Sequence, residues 1–251
     1  MLRGYRRSVE PTDARLAALY DADNPAGADH EFFRTLVDRI APRSIIDLGC
    51  GTGLLTVTLG SAGRDVVGID PDQGMLDIAR GRPEGERVEW LLGDARDIPH
   101  GLGVELVLMT GNVVQHLDPD HWRQTLVAVS SVLRRGGVLA FDNRNPSAQA
   151  WRSWTRDDTL STRPTADGPL TEWMESTEPD GDATVVLTAC NRWEATGEQL
   201  TVRQPLTFRS LARIEHDLGD VGIGIERVWG GWHGEPFVVD SPVMIVEARR
   251  R

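Results

Sequence analysis

The sequence predicts an α/β fold: a doubly wound, mostly parallel sheet with helices on both faces and an inserted antiparallel lid. Strand-like and helix-like segments alternate five times between residues 45 and 141. The strand-like segments are short apolar runs, which are typical of buried parallel strands. A glycine-rich turn joins the first of these strands to a helix. A chain of 251 residues is long enough for one such domain with an insertion. We expect an N-terminal helical cap of residues 1–34, a core of residues 35–148 and 209–251, and a lid of residues 149–208.

Two helical patterns precede the predicted sheet. They run from Ala14 to Tyr20 and from His30 to Ile40, and Pro25 with Gly27 marks a turn between them. Such a pair of helices is typical of a cap that packs over a core.

The stretch IIDLGCGTGLL, from Ile45 to Leu55, carries the strongest signal. Ile45 and Ile46 are β-branched and apolar, as a buried strand requires, and the strand has to end near Leu48 because glycines follow. A turn of this kind allows backbone N–H groups to approach a ligand, and the helix N-terminus after it favours an electron-rich group. A tight turn without a ligand is the alternative, but three glycines exceed what turn geometry needs. They stand at alternate positions after Asp47: Gly49, Gly51 and Gly53.

Four further strands and two helices complete the predicted core up to residue 141. The strands are short apolar runs that end in turn residues, and the helices have apolar positions at three- and four-residue spacing. Because strands and helices alternate, we expect the strands to be parallel. The strands are Asp65 to Ile69, Val88 to Leu92, Val104 to Met109 and Val138 to Phe141, and the helices are Gln73 to Arg80 and the segment HWRQTLVAVSSVLRR at 121–135.

The pattern changes after Pro146. The segment SAQAWRSWTRDD is compatible with a helix, and three β-rich stretches with turn residues between them then predict an antiparallel sheet. Ser210 next caps a helix that runs through Leu218. The three stretches are Leu170 to Thr177, Ala183 to Ala195 and Gln199 to Phe208, and the last two strands of the core are Ile223 to Trp229 and Val243 to Ala248.

Composition and charge exclude several classes of protein. The net charge of −11 and the pI of about 5.0 argue against a nucleic-acid partner, because binding to phosphates requires a clustered basic surface. All 27 basic residues are arginine, which excludes a lysine Schiff base and a lysine-containing phosphate loop. Cys50 and Cys190 lack the spacing of a disulfide framework or a metal site, so we expect no metal. Since the chain has no apolar run of membrane-spanning length and no apolar signal peptide, we expect a cytoplasmic monomer or homodimer without a membrane partner.

Two aspartates stand at strand ends beside the glycine turn, where open α/β sheets bind ligands. Asp70 follows the second strand and Asp94 the third. Asp70 lies 21 residues after Gly49, the distance at which an acidic residue accepts hydrogen bonds from both ribose hydroxyls of a nucleotide. That spacing fits an NAD-dependent oxidoreductase equally well. Asp47 favours a different ligand, because a carboxylate just ahead of the turn opposes a pyrophosphate and suits a cation.

Four motifs, in order, resemble those of the class I S-adenosylmethionine-dependent methyltransferases. They are DLGCGTG at 47–53, GIDPDQGMLDIAR at 68–80, GDARDIP at 93–99 and LRRGGVLAF at 133–141. The resemblance extends from about Thr35 to Asn145 and includes the C-terminal strands. It implies a Rossmann-like sheet of seven strands in the order 3-2-1-4-5-7-6, with the last strand antiparallel, and S-adenosyl-L-methionine as the cofactor.

The resemblance also implies roles in cofactor binding for residues of this chain. The three glycines would pass under the methionine part of the cofactor, and Asp47 would reach its charged end directly or through water. From the residues alone, Met75 fits a core position and Asp94 a turn equally well. By position, Asp70 would hold the ribose, Met75 would pack on the adenine, Asp94 with Ala95 would receive the adenine amino group, and Thr110 would complete the site.

Candidate residues for the methyl acceptor follow the fourth and fifth strands, where the resemblance places the methyl group and the substrate. His116 is a candidate base, because a neutral imidazole can take a proton from an amine or a hydroxyl; a surface histidine is the alternative. Arg144, with Asn145 beside it, would pair with a substrate carboxylate or close a loop. Trp151 begins a lid rich in tryptophan, which suits either a small-molecule pocket or the core of the small sheet.

These patterns predict methyl transfer to a nitrogen or oxygen of a small-molecule acceptor by direct in-line displacement. An NAD-dependent oxidoreductase and a cofactor-binding protein without turnover are the alternatives. Because every residue assigned to the cofactor follows one of the first four strands, we expect the lid to govern the acceptor and not the cofactor.

Overall fold

A computed structural model describes residues 13–60, 63–98 and 103–251. The first twelve residues of the predicted cap and Pro99 of the third motif lie outside the described residues. The centre of the structure is a seven-stranded sheet. In chain order its strands are β1 Ser44–Leu48, β2 Asp65–Asp70, β3 Glu89–Leu92, β4 Val104–Met109, β5 Leu133–Arg144, β10 Ile223–Trp229 and β11 Val243–Arg250, and β6 to β9 belong to a second sheet.

The strand order confirms the predicted topology. It runs β10-β11-β5-β4-β1-β2-β3, which is the order 3-2-1-4-5-7-6 when only the strands of this sheet are counted. Strands β1 to β5 are parallel, and β11 is antiparallel to both of its neighbours. The order reverses between β1 and β4, so a crevice for a ligand is expected at the carboxyl ends of these two strands.

Helices cover both faces of the sheet because strand side chains alternate between the faces. Ile45 of β1 lies in one apolar cluster with Phe33 of α2, and Ile46 lies in the other with Trp122 of α5. The helices are α1 Ala14–Asp23, α2 Ala28–Ile40, α3 Thr56–Leu59, α4 Gln73–Arg80, α5 Pro119–Val132, α6 Arg156–Thr159 and α7 Leu211–Asp220. None of them has the length and apolar character needed to cross a membrane.

The lid is an antiparallel sheet of four strands, one more than predicted. The additional strand is β6, whose sequence STRPT contains Pro164. Proline has no N–H to donate and is tolerated only at an edge, and β6 is an edge strand of this sheet. The strands are β6 Ser161–Thr165, β7 Gly168–Ser176, β8 Thr184–Trp193 and β9 Gln199–Thr207.

Two predicted helical segments differ from those observed. The segment after Pro146 forms three short helical turns at 146–148, 150–153 and 156–159 in place of one helix. The helix predicted through residue 135 ends at Val132, because Leu133 already pairs with Val104 in the sheet. The Gly136-Gly137 pair that follows would destabilise a helix, which favours this early start of β5.

Candidate active site

The glycine turn is fixed to β2 by its own backbone. The N–H groups of Gly49 and Cys50 both donate to the Ile69 carbonyl, at 2.7 and 3.1 Å, and the N–H of Gly53 donates to the Cys50 carbonyl at 2.9 Å. The N–H of Gly51 donates to the Asp70 carboxylate at 2.8 Å. These N–H groups therefore satisfy acceptors of the protein itself, contrary to the expectation that they approach a ligand.

The three glycines have different surroundings, although all have φ between +54° and +78°. A Cβ added at Gly49 would lie 2.5 Å from Val113, and one at Gly53 would lie 2.5 Å from Trp90. At Gly51 the nearest described atom would be Cε1 of Tyr20, at 3.9 Å. Close packing thus explains two of the glycines, whereas an added Cβ at Gly51 would have only one ordinary van der Waals contact among the described residues.

Asp47, at the end of β1, is a buried carboxylate with one oxygen to spare. Asp47 is 1% exposed, and its Oδ2 accepts a hydrogen bond of 2.6 Å from the Thr56 hydroxyl. Oδ1 has no hydrogen-bond partner among the described residues. Burial raises the pKa of Asp47 to about 6, although the hydrogen bond from Thr56 acts in the opposite direction and lowers it. A positively charged group beside Oδ1 would stabilise the ionised carboxylate.

Asp70, at the end of β2, is positioned by two backbone N–H groups. Its carboxylate accepts from Gly51 at 2.8 Å and from Asp72 at 2.9 Å. Burial nevertheless raises the pKa of Asp70. Each oxygen accepts one of these bonds and has a further lone pair, so the carboxylate retains the capacity to accept from a ligand.

The remaining predicted cofactor residues surround the ends of β2 to β4. Met75 on α4 and Ala95 are buried, and Thr110 lies half-buried directly after β4. The Asp94 carboxylate forms an ion pair with Arg96, and the Arg96 side chain holds the pKa of Asp94 below its usual range. The expected contact from Asp94 to an adenine amino group would therefore compete with Arg96.

Helix α1 lies against the glycine turn, which the sequence did not indicate. Asp21 accepts a hydrogen bond of 2.6 Å from the Thr52 hydroxyl and forms an ion pair with Arg82. Arg82 also donates to the Thr52 carbonyl at 2.5 Å. Tyr20, one residue earlier, stands beside Gly51 and is 39% exposed. Desolvation by neighbouring protein groups, together with the negative charges of Asp70 and Asp21, raises its pKa.

His116 ends a short helical turn, Val113–His116, between β4 and α5. The residue is exposed at the surface. Desolvation by neighbouring protein groups, and then the nearby positive charge of Arg144, lower the pKa of His116. The imidazole is therefore neutral at physiological pH, as a proton acceptor has to be.

Arg144, at the end of β5, is held on two sides. It donates a hydrogen bond of 2.8 Å to the side chain of Gln115, and its guanidinium carbon lies 5.4 Å from the ring centre of Trp154. Gln115 is fully buried, and its Nε2 has no hydrogen-bond partner within the described part of the chain. Arg144 is therefore fixed in a position next to His116 and the start of the lid.

Asp142 is a third buried strand-end aspartate that the sequence analysis missed. It is 2% exposed, it accepts a hydrogen bond of 2.8 Å from the Asn112 N–H, and its Oδ1 is unpartnered among the residues described. Burial raises its pKa to about 7. The available signal was an aspartate that directly follows a buried apolar strand.

Asn145 has contacts that argue against the expected substrate role, whereas Trp151 packs in the lid and also lines a cavity there. The Asn145 amide donates to the carbonyls of Val239 and Ser241, at 2.9 and 2.8 Å, and the residue is 3% exposed. Trp151 packs edge to face on Phe208, with ring centres 4.7 Å apart, in the small core of the lid. We interpret Asn145 as a residue that fastens a loop and Trp151 as lid core.

Comparison with known proteins identifies related sequences and folds. A family model described as a methyltransferase domain matches residues 45–137. The cypemycin N-terminal methyltransferase of Streptomyces sp is 28% identical in an alignment of 219 residues that covers 83% of this chain and 84% of that protein. The chain spans only 40% of the glycine N-methyltransferase of Rattus norvegicus, with 31% identity.

Solved structures with the same fold cover nearly the whole chain. The CcbJ methyltransferase of Streptomyces caelestis has a TM-score of 0.77 and 20% identity, with 95% of this chain and 99% of that chain covered. CalS10 of Micromonospora echinaspora, an amino pentose methyltransferase solved with bound S-adenosylmethionine, has a TM-score of 0.67 and 18% identity, with 96% and 99% covered. At 20% and 18% sequence identity, the similarity to these two structures shows a shared fold only.

Proposed function

Because the chain is a class I S-adenosylmethionine-dependent methyltransferase, with S-adenosylmethionine as its cofactor, we propose that it methylates a nitrogen or an oxygen of a small-molecule acceptor. The transfer is a direct in-line displacement. The bound cofactor supplies an electrophilic methyl group on a sulfonium, and the residues of this chain bind the two reactants, orient them and accept a proton.

The observation that carries this proposal is the use of the turn N–H groups inside the protein. Gly49, Cys50 and Gly51 donate to Ile69 and Asp70, so none of these N–H groups is free to bind a pyrophosphate. The turn instead lies between two buried carboxylates, Asp47 and Asp70. This arrangement favours a ligand with a cationic group and hydroxyl donors over a dinucleotide.

The same residues define how the cofactor would be held. Oδ1 of Asp47 would accept from the amino group, which satisfies the unpartnered oxygen. Asp70 would accept from the ribose hydroxyls through its remaining lone pairs, and Gly51, where an added Cβ would meet no described atom closer than 3.9 Å, would leave room for the ligand. Met75 would pack on the adenine, and Thr110 would lie near the methionine part.

The acceptor side of the site would be formed by the ends of β4 and β5 and by the lid. His116 would accept the proton that an amine or hydroxyl acceptor loses on methylation, since its lowered pKa keeps the imidazole neutral. Arg144 would orient an acceptor that has a negative charge or an electron-rich oxygen. In that role its contacts with Gln115 and Trp154 hold the guanidinium in place.

A cavity of about 550 Å³ beside Trp154 offers room for a small-molecule acceptor. Its lining combines two tryptophans with arginine, glutamate and hydroxyl side chains. Such a lining suits a polar molecule with an apolar face, which supports an acceptor of the size of a sugar or an amino acid. The named acceptors of similar proteins, an N-terminus in the cypemycin enzyme and an amino pentose in CalS10, are compatible with such a cavity.

Positioning would supply most of the rate enhancement. Orientation of two bound reactants is worth roughly 7–11 kcal/mol, whereas a general base contributes about 10²- to 10⁴-fold. Loss of His116 should therefore slow the reaction without abolishing it.

A screen for methyl transfer tests the proposed function. The protein is incubated with S-adenosylmethionine and a panel of amino sugars, amino acids, short peptides and polyhydroxylated compounds, and mass spectrometry detects products heavier by one methylene. Transfer to at least one small molecule supports the proposal. If S-adenosylhomocysteine binds but no member of a broad panel is methylated, a cofactor-binding protein without turnover becomes the better interpretation.

A further inference from the structure

Helix α1 contacts the glycine turn on one side and the lid on the other. Toward the turn, Asp21 is bonded to Thr52 and Arg82. We call these contacts the turn anchor. Toward the lid, Arg15 and Asp23, at opposite ends of the helix, form ion pairs with lid residues. We call the Arg15–Glu198 and Asp23–Arg163 pairs the lid clasp.

The first pair of the lid clasp has good geometry. Arg15 donates two hydrogen bonds to the Glu198 carboxylate, at 2.9 and 2.8 Å. The Arg15 guanidinium carbon also lies 3.8 Å from the ring centre of Trp193 on β8. A bidentate ion pair combined with a cation–π contact fixes the guanidinium in one orientation. The start of α1 is thereby attached to the turn between β8 and β9.

The second pair attaches the other end of the helix. Arg163 of β6 lies 2.6 Å from the Asp23 carboxylate and 3.2 Å from that of Glu172 on β7. The arginine therefore bridges α1 and two strands of the lid. Since both ends of the ten-residue helix are bound to the lid sheet, the lid contributes to the position of the helix together with the turn anchor.

The position of α1 matters for the cofactor because the helix carries Tyr20. Its ring stands beside Gly51, and the Asp70 charge acts on its hydroxyl. Tyr20 therefore borders the side of Gly51 that the proposed function assigns to the cofactor. A ligand bound there would lie next to α1, so a movement of α1, or of the lid that contacts it, would change how easily the ligand leaves.

We propose that Arg15 and Asp23 are positioning residues through which the lid holds α1 over the cofactor, so that lid opening and cofactor release are coupled. This inference rests on the function proposed above, because it takes the space beside Gly51 as the cofactor site. It replaces the expectation from the sequence that the lid serves the acceptor alone.

The exposure of the ion pairs indicates which contact opens first. The side chains of Arg15 and Glu198 are 30% and 53% exposed, whereas those of Arg82 and Asp21 in the turn anchor are 16% and 36% exposed. An exposed pair changes an equilibrium by at most about fivefold and is weakened by salt. The ion pairs of the lid clasp should therefore break more readily than the contacts of the turn anchor, as expected if the lid moves while the glycine turn stays in place.

Dissociation of S-adenosylhomocysteine from the full-length protein tests the coupling without any acceptor. The rate is followed by tryptophan fluorescence in the wild type, in Glu198→Ala and in Glu198→Ala/Asp23→Asn, at about 50 and 500 mM NaCl. Glu194→Ala is the matched control, because Glu194 lies on the same turn but pairs with Arg192 inside the lid. We expect dissociation about twofold to fivefold faster in the single variant, faster still in the double variant, and unchanged in the control.

Salt and hydrogen exchange distinguish the clasp from a general loosening of the lid. High salt should accelerate dissociation from the wild type and have little effect on the double variant. Amide exchange in residues 14–23 should be faster in the double variant, with exchange in α7 unchanged. Equal dissociation rates in wild type and double variant, or equal effects of Glu194→Ala and Glu198→Ala, would overturn the inference. A wild type that fails to bind S-adenosylhomocysteine would instead overturn the proposed function.

Discussion

The Asp70 carboxylate accepts a hydrogen bond of 2.8 Å from the backbone N–H of Gly51, the one glycine of the turn where an added Cβ would meet no described atom closer than 3.9 Å. The acidic residue of β2 and the turn after β1 are thus built as a unit. This unit has the charge of a carboxylate at the position where a phosphate-binding turn would present N–H donors. Its preference for a cationic ligand follows from that difference.

Replacement of Asp70 should affect both binding and stability. Asp70→Ala removes acceptors for the ribose hydroxyls, which should weaken S-adenosylhomocysteine binding by about 1.5–3 kcal/mol. It also removes the side-chain acceptor of the Gly51 and Asp72 N–H groups, which should lower the unfolding free energy by about 1–3 kcal/mol. Calorimetry and urea unfolding measure the two effects. Asp65→Ala, at the exposed start of the same strand, is the control, and wild-type affinity in Asp70→Ala would refute the assignment.

A methyl group at Gly51 should interfere with the ligand more than with the fold. Gly51→Ala places a side chain at φ +54° with 3.9 Å to its nearest described neighbour, so the protein should fold with a loss of about 1–2 kcal/mol. Gly136→Ala provides the comparison, because Gly136 has φ +75° and no described atom within 4 Å of an added Cβ. We expect similar melting temperatures for the two variants and at least tenfold weaker S-adenosylhomocysteine binding for Gly51→Ala alone. Equal affinities would show that Gly51 does not border the ligand.

Cofactor binding should depend on pH through Asp47. The carboxylate has a pKa of about 6 because it is buried, and an amino group beside Oδ1 would favour its ionised form. Binding then releases a proton, so affinity should fall as the pH drops below about 6 and level off above it. Calorimetric titrations of S-adenosylhomocysteine between pH 5 and 8 measure the dependence. The Asp47→Asn variant should bind S-adenosylhomocysteine more weakly, and its affinity should no longer rise with pH. An identical pH profile in both proteins would contradict a role of Asp47 in binding the amino group.

His116 should contribute to turnover and not to cofactor affinity. With an acceptor in hand, His116→Asn should lower kcat by about 10²- to 10⁴-fold and leave S-adenosylhomocysteine binding unchanged. Because the pKa of His116 is lowered, the wild-type rate should decline only below the ordinary titration range of histidine. His121→Asn is the control, since His121 is paired with Asp118 on the surface of α5. A kcat in His116→Asn equal to that of the control would assign the proton transfer to another group.

Local patterns predicted the central fold because each signal lies within a short segment. Helix α4 was predicted with the observed bounds Gln73–Arg80 and strand β4 with Val104–Met109, since apolar periodicity and turn residues define both. Strand β6 was missed because Pro164 argues against a strand, and only pairing with β7 makes an edge position available for it.

The candidate site was predictable only in part, because half of it depends on contacts between distant residues. Asp47 and Asp70 follow buried strands and could be recognised from that position. The ion pair of Arg15 with Glu198 joins residues that are 183 positions apart, and no local pattern marks it. Asn145 gave a misleading signal: its position at the end of β5 suggests a substrate, whereas its amide fastens a neighbouring loop.

Two calorimetric titrations of the wild-type protein, one with S-adenosylhomocysteine and one with NAD, test the assignment of the glycine turn to S-adenosylmethionine. We expect saturable binding of S-adenosylhomocysteine at one site per chain and no measurable binding of NAD, because the N–H groups of the turn are already bonded to Ile69 and Asp70. Saturable binding of NAD without binding of S-adenosylhomocysteine would contradict the assignment of the glycine turn.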